Sequence, residues 1–312
     1  IRNLYSVISR GESTIMNKKR TNIRENIKSY ALISPYLLIF TVFSVLPVLV
    51  AIFFGFTDFN VLESPRFVGL DNYIRMFSTD DVFFVALKNT LVMALVIGPG
   101  GYLLSLFFAW MINELSDRLR PIITFLFYAP SISGNVYLMW TVLFSGDMYG
   151  YVNGFLLNIG AINEPITWLK NSNYMMEIVL LVSLWASLGT SFLTFVAGFK
   201  GIDHQYYEAG MIDGITNRWQ ELWYITLPIM RPQMLFSAVM SISGAFGVGA
   251  VSTALCGFPS SDYAVHTLMN HLSDYGGIRY EMGYASALAT LLFLMMAGFN
   301  LLVQHFISKI GE

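Results

Sequence analysis

Six stretches of the chain run for more than twenty residues without an aspartate, glutamate, lysine or arginine: 29–57, 89–113, 121–146, 178–199, 232–261 and 282–308. Crossing ~30 Å of hydrocarbon takes about 20 helical residues, so the pattern predicts an all-α integral membrane protein with six transmembrane helices. A seventh uncharged stretch, 148–163, is shorter and broken by Gly150, Asn153, Gly154, Asn158 and Gly160. It reads as a loop carrying a short interfacial helix. Pro47, Pro99 and Pro130 fall inside predicted spans, where neighbouring helices or water must satisfy the freed backbone groups. Ser243/Gly247 and Ala245/Gly249 place small residues four apart, the spacing that lets helix backbones approach closely.

Composition agrees with burial in lipid. Of the 312 residues, 55% are hydrophobic and 12% charged, against about 25% charged in soluble domains. The single cysteine, Cys256, excludes a disulfide scaffold and cysteine-based metal sites. Met16, followed by Asn-Lys-Lys-Arg, reads as the natural start, or else residues 1–15 read as a poorly ordered extension. The first apolar run is too long for a cleavable signal. Lysine and arginine set the orientation. A cytoplasmic N-terminus puts Arg2, Arg10, Lys18, Lys19, Arg20, Arg24, Lys28, Arg118, Arg120, Lys200, Arg218, Arg231 and Lys309 inside. Only Arg66, Arg75, Lys88, Lys170 and Arg279 then lie outside. The expected layout is a cytoplasmic tail over 1–28, a permease domain over 29–308, a cytoplasmic loop over 200–231, and external loops over 58–86, 147–176 and 262–281. Both termini are expected in the cytoplasm.

The loop 203–228 is the most informative segment. Asp203 suits a helix N-cap, Tyr207 and Met211 share a face, and Gly214 is placed to end the helix in a left-handed conformation. Asn217 caps a second helix, in which Trp219, Leu222 and Trp223 make an apolar stripe. Leu227-Pro228 leads into the fifth span. The predicted shape is a short helix, a glycine corner and an amphipathic helix along the membrane face, which suits docking better than catalysis.

This segment resembles the cytoplasmic EAA loop of ABC importer permeases, whose pattern is Glu-Ala-Ala, three residues, Gly, nine residues, Ile-x-Leu-Pro. Glu208, Ala209, Gly214, Ile225, Leu227 and Pro228 supply it. Gly210 stands where alanine is usual, and ten residues separate Gly214 from Ile225. Further matches point to the sugar permeases of the maltose and glycerol-phosphate type: Ser34-Pro35-Tyr36, Leu46-Pro47, 67–73, Asn89-Thr90, Tyr128-Ala129-Pro130, Trp140, Gly150 and Asn153. The resemblance covers about residues 30–308 and implies the type I importer permease fold in the plasma (inner) membrane of a prokaryote. It implies three kinds of partner besides lipid and no nucleic acid: a second permease, two ATPase subunits and an extracytoplasmic solute-binding protein. ATP and magnesium would sit on the ATPase subunits, with no cofactor and no catalysis on this chain. Consistent with that, the chain contains no Gly-Lys pair and so no Walker loop. The expected ATPase-coupling residues are Tyr207, Glu208, Ala209, Met211, Asp213, Gly214, Leu227 and Pro228.

Sugars offer apolar ring faces and hydroxyls, which aromatic and neutral hydrogen-bonding side chains recognise. Candidates by type and depth are Asn135, Tyr137 and Trp140; Trp185, Ser187, Thr190 and Ser191; and Ser241, Ser243 and Phe246. The spans lack the ionisable groups common in proton-coupled carriers and voltage sensors, which favours a neutral substrate. His204, His266, His271 and His305 are expected at surfaces, with no metal site. A permease for another solute such as a phosphorylated polyol, a stand-alone channel or secondary carrier, and an intramembrane protease are the competing readings. The EAA-like loop argues against the channel or carrier, and the lack of acidic residues within the spans, with His266 and His271 placed in a loop, argues against the protease.

Overall fold

In hydrocarbon the backbone must satisfy its own hydrogen bonds, and the described residues do so with helices. The computed structural model describes residues 29–134 and 136–307. The chain divides into two compact units, one ending at Phe53 and one beginning at Phe54. The first holds most of α1 (Ser29–Phe54), a continuous apolar helix. A π-helical turn at Thr41–Val45, where the Leu46 N–H reaches Thr41 O, widens the helix just ahead of Pro47. Widening of this kind accommodates a proline ring that would otherwise press on the preceding turn.

The second unit contains α2 (Asp71–Ser78), α3 (Asp81–Asn113), α4 (Leu119–Ile132), α5 (Tyr137–Leu143) and α6 (Tyr151–Asn158). It continues with α7 (Ser172–Ala186), α8 (Thr190–Lys200), α9 (His204–Ile212), α10 (Arg218–Ile229), α11 (Arg231–Phe246) and α12 (Gly249–Cys256). Then come α13 (Leu268–Ser273) and α14 (Met282–Ile307). By length and apolarity, four runs cross a membrane: α1, α3, α7 with α8, and α14. Counting each of two bent helix pairs as one span gives six.

The spans are less regular than the apolar stretches predict. The third breaks between Ile132 and Tyr137, and the fourth pauses at Ser187–Gly189. The fifth breaks at Gly247–Val248 between α11 and α12, and α10 meets α11 at 82°. By contrast α3 runs unbroken through Pro99. It packs against α7, α8, α11 and α13 and serves as the central post.

Two apolar clusters divide the second unit along these helices. On α3 the first cluster ends at Ile97 and the second begins at Ala109; on α7–α8 the corresponding residues are Val182 and Phe192. On α11 the order reverses, with the second cluster ending at Ala238 and the first resuming at Ala245. Each helix therefore carries its break or its small polar residues at one shared depth. Gly249 lies buried in packing, while Ala245 and Gly247 border a cavity described below.

Polar staples close the connecting segments. Asn72 Nδ2 donates to Gly55 O and Thr57 O, which explains its place in the 67–73 motif. The short helix expected within 148–163 is α6, and its Asn153 is fully buried. Asn153 donates to the carbonyls of Ser145, Asp147 and Ile166 and accepts from Ile166 N and Trp168 Nε1. Asn153→Ala leaves these partners unsatisfied. It should lower stability by about 2–3 kcal/mol, read as a lower melting temperature in detergent and faster proteolysis within 145–168.

Candidate functional site

At the depth shared by the breaks lies a cavity of ≈ 280 Å³ lined chiefly by Ser131, Ser183, Ser187, Thr190, Ser191, Ser241, Gly244 and Gly247, with Ile97, Val248 and Val251 as apolar wall. Four of the predicted path residues meet there: Ser187, Thr190, Ser191 and Ser241. Ser191 Oγ lies 3.1 Å from both Ser237 O and Ser241 Oγ, and Ser237 Oγ donates back to Ser191 O at 3.3 Å. This reciprocal bonding fixes α8 against α11. Ser187 Oγ turns back to Leu184 O at the break.

Other candidates stand elsewhere. Phe246 is buried against Phe299 and faces packing, not the cavity. Ser243 is not among the lining residues. Trp140 and Trp185 pack edge to face at 5.3 Å, and Trp140 stacks on Phe144 at 6.0 Å. Trp140, Phe144 and half-buried Tyr137 pack against the first apolar cluster. Large rings pack where neighbouring helices leave volume, and residue type alone does not specify that place. Asn135 lies outside the described residues.

Sequence reasoning missed two lining hydroxyls: that of Ser131, which donates back to Tyr128 O, and the more telling one of Ser183. Ser183 is buried, and its hydroxyl has no hydrogen-bond partner among the described residues. The spacing carried a signal, since Ser183, Ser187 and Ser191 stand four apart. No charged residue lines the cavity.

The 203–228 segment forms the second part of the site. Asp203 Oδ1 accepts from Gln205 N and caps α9; Asn217 Oδ1 accepts from Gln220 N and caps α10. Gly214 adopts φ +91° with open space around it, as the left-handed corner requires. Glu208, Ala209, Met211, Asp213 and Gly214 are all exposed, together with Tyr206 and Ile212. Tyr207 instead turns inward, its hydroxyl 3.1 Å from Thr226 Oγ1. Burial pushes its phenol above the ordinary range, keeping it neutral. Leu227 is buried and Pro228 half-buried at the end of α10.

The apolar stripe differs from expectation. Leu222–Thr226 is π-helical, so Leu222, Ile225, Thr226 and Leu227 turn inward together. Trp219 and Trp223 remain exposed, although Trp219 packs on Trp110 at the end of α3, with ring centres 4.7 Å apart. Arg218 pairs with Glu221 on its own helix and with Glu114 beside α3, at 2.7 Å and 3.2 Å. Sequence spacing could not reveal that α10 is tied to α3.

Gly210 has a packing reason. It is buried, and a Cβ added there would stand 2.5 Å from Ile225 Cδ1. The departure from alanine therefore lets Ile225 close onto α9.

The sequence profile of the binding-protein-dependent transport system inner membrane component matches residues 101–312. The chain belongs to that family. The Probable ABC transporter permease protein YesP of Bacillus subtilis is 33% identical over 294 residues, covering 92% of this chain and 93% of that protein. The arabinooligosaccharides transport system permease protein AraP of Halalkalibacterium halodurans is 28% identical, over 87% of this chain and 85% of that one. A crystal structure of a bacterial ABC transporter involved in import of the acidic polysaccharide alginate shares the fold. Its TM-score is 0.73 at 24% identity, with coverage of 94% of this chain and 99% of that one.

Within this permease family member, the Gly210–Ile225 contact makes a quantitative claim. Alanine at 210 gains up to about 1 kcal/mol of helix propensity but overpacks Ile225 at a cost of about 1–3 kcal/mol. Gly210→Ala alone should therefore lower thermal stability in detergent slightly. Adding Ile225→Val, which deletes Cδ1, should restore it, and independent effects of the two changes would refute the contact.

Proposed function

We propose that this permease imports a neutral sugar or oligosaccharide across the plasma membrane, driven by ATP hydrolysis on two separate ATPase subunits. A second permease and an extracytoplasmic solute-binding protein complete the assembly, and both termini of this chain face the cytoplasm. ATP and magnesium belong to the ATPase partners. The observation that carries the reading is the exposed α9–Gly214 knob, joined through Arg218–Glu114 and Trp219–Trp110 to the end of α3. A push on α9 is delivered through these contacts to the central post, and α3 reaches the cavity through Ile97. Rigid-body rocking about that depth then exposes the cavity to each side in turn.

The uncharged, hydroxyl-rich lining supports a sugar over a phosphorylated polyol, which would call for basic groups at the cavity. Ser183 adds an unpaired hydroxyl to this lining and fits a role in bonding a sugar hydroxyl. The AraP likeness supports the same class.

Affinity purification in mild detergent should recover a second permease and an ATPase, with ATP turnover raised by a sugar-loaded binding protein. Recovery of the chain alone would overturn the importer reading in favour of a channel or carrier. Gly214→Asp, which places a side chain at φ +91°, should preserve insertion and expression yet abolish uptake. Normal transport by this variant would exclude the docking role of the corner.

A further inference from the structure

His266 and His271 do not lie at a surface: they are 3% and 2% exposed. His266 precedes the Thr267 N-cap of α13, so the five-residue spacing does not separate the two rings around a helix. Their Nε2 and Nδ1 atoms stand 3.3 Å apart. His271 Nε2 then meets Asp80 Oδ2 at 2.8 Å, and the same oxygen accepts from Tyr284 OH at 2.6 Å. An ionised carboxylate only accepts, so His271 carries its proton on Nε2. Its other ring nitrogen, Nδ1, faces His266 Nε2. One chain of hydrogen bonds thus joins α3, the segment before α13, α13 and α14.

The segment 258–273 is pinned to α3 at further points. Asn89 Nδ2 donates to Tyr263 O and His266 O, and Leu268 N donates to Thr90 Oγ1. On its other side Asn270 Nδ2 donates to Gly249 O and Thr253 Oγ1 of α12. A Cβ added at Gly249 would stand 2.9 Å from both Met269 Cβ and Thr267 Oγ1, so α13 seats directly on the start of α12. Gly247, Val248 and Val251, beside that contact, form part of the cavity wall.

We propose that Asp80, His266, His271 and Asn270 are positioning residues of a proton-sensitive latch, which holds segment 258–273 on α3 and thereby sets the wall of the cavity. The transport consequence rests on the importer reading and its topology, which put this latch on the external face. Acidification then loosens the wall and weakens substrate transfer.

The sign follows from the groups that face the latch. Burial first, and then neighbouring His271, push His266 down to about 4; Asp274 and Asp80 oppose this shift and Arg279 adds to it. Asp80 is pushed up by burial, but the hydrogen bonds from Tyr284 and His271 outweigh that and hold it below the ordinary carboxylate range. Arg75 and Glu281 pair with each other, Arg279 pairs with Asp274, and Tyr275 lies under both arginines. The rings of Phe258 and Tyr263 flank His266 and offer its cation no carboxylate. A histidine kept neutral in the closed latch opposes closure once pH falls below 6.5, where an opened latch binds the extra proton. Asp80 adds to the loss only at lower pH.

Hydrogen exchange on the full chain in nanodiscs at pH 7.5 and 5.0, corrected for intrinsic rates, tests the latch without any sugar. Amides of 265–271 should exchange up to about thirtyfold faster at pH 5.0, because opening gains at most tenfold per pH unit below 6.5. Amides of 251–256 should follow. His266→Gln should keep protection at pH 7.5 and flatten the pH profile, while Asp80→Asn should lose protection at both values. Wild-type protection independent of pH, or an unchanged profile in His266→Gln, would overturn the latch. Loosening of 265–271 without 251–256 would overturn its link to the cavity wall. Failure to recover ATPase partners would remove the importer reading and leave these exchange results intact, so the two failures are distinguishable.

Discussion

Backbone hydrogen bonding in a medium without water governs this architecture. Irregular backbone at membrane depth is tolerated only where protein or a wet cavity surrounds it. The breaks at Ser187–Gly189 and Gly247–Val248 obey that rule, since both line the same cavity. The Gly189 N–H turns to Ser187 O, and the Gly247 N–H to Gly244 O. Hydroxyls of Ser187, Ser191, Ser237 and Ser241 take up local carbonyls or one another. The cavity is a consequence of where helices stop.

Because α3 does not stop, it ties the two ends of the unit together. One end is held by Asp80, Asn89 and Thr90 against the segment around α13. Beyond the other, Glu114 and Trp110 meet Arg218 and Trp219 of α10. A rigid helix fastened at both ends makes events at the α9 knob and at the buried histidines parts of one mechanical system. The apolar clusters above and below the cavity give that system a waist, where hydroxyls replace hydrocarbon and relative movement of the halves breaks few apolar contacts.

Several short motifs acquire physical reasons from this arrangement. Asn72 fixes the chain leaving α1 by bonding Gly55 and Thr57, and Asn153 gathers five partners around α6. Gly210, an apparent defect in a helix, is the seat of Ile225. Each is a polar or small residue whose role is visible only with its distant partner in place.

Length and apolarity alone determined that the chain is helical and membrane-embedded, because ~30 Å of hydrocarbon demands about 20 uncharged residues whatever the fold. Local chemistry likewise determined the caps Asp203 and Asn217 and the left-handed corner at Gly214, which depend on neighbours a few residues away. Tertiary structure decided the rest. It brought Ser187, Thr190, Ser191 and Ser241 to one cavity while turning Phe246 into packing, and it buried His266 and His271 beside Asp80, some 190 residues earlier in the chain. Burial and partnership are set by which helices face one another, and an apolar stretch in lipid carries little periodicity to announce its facing side.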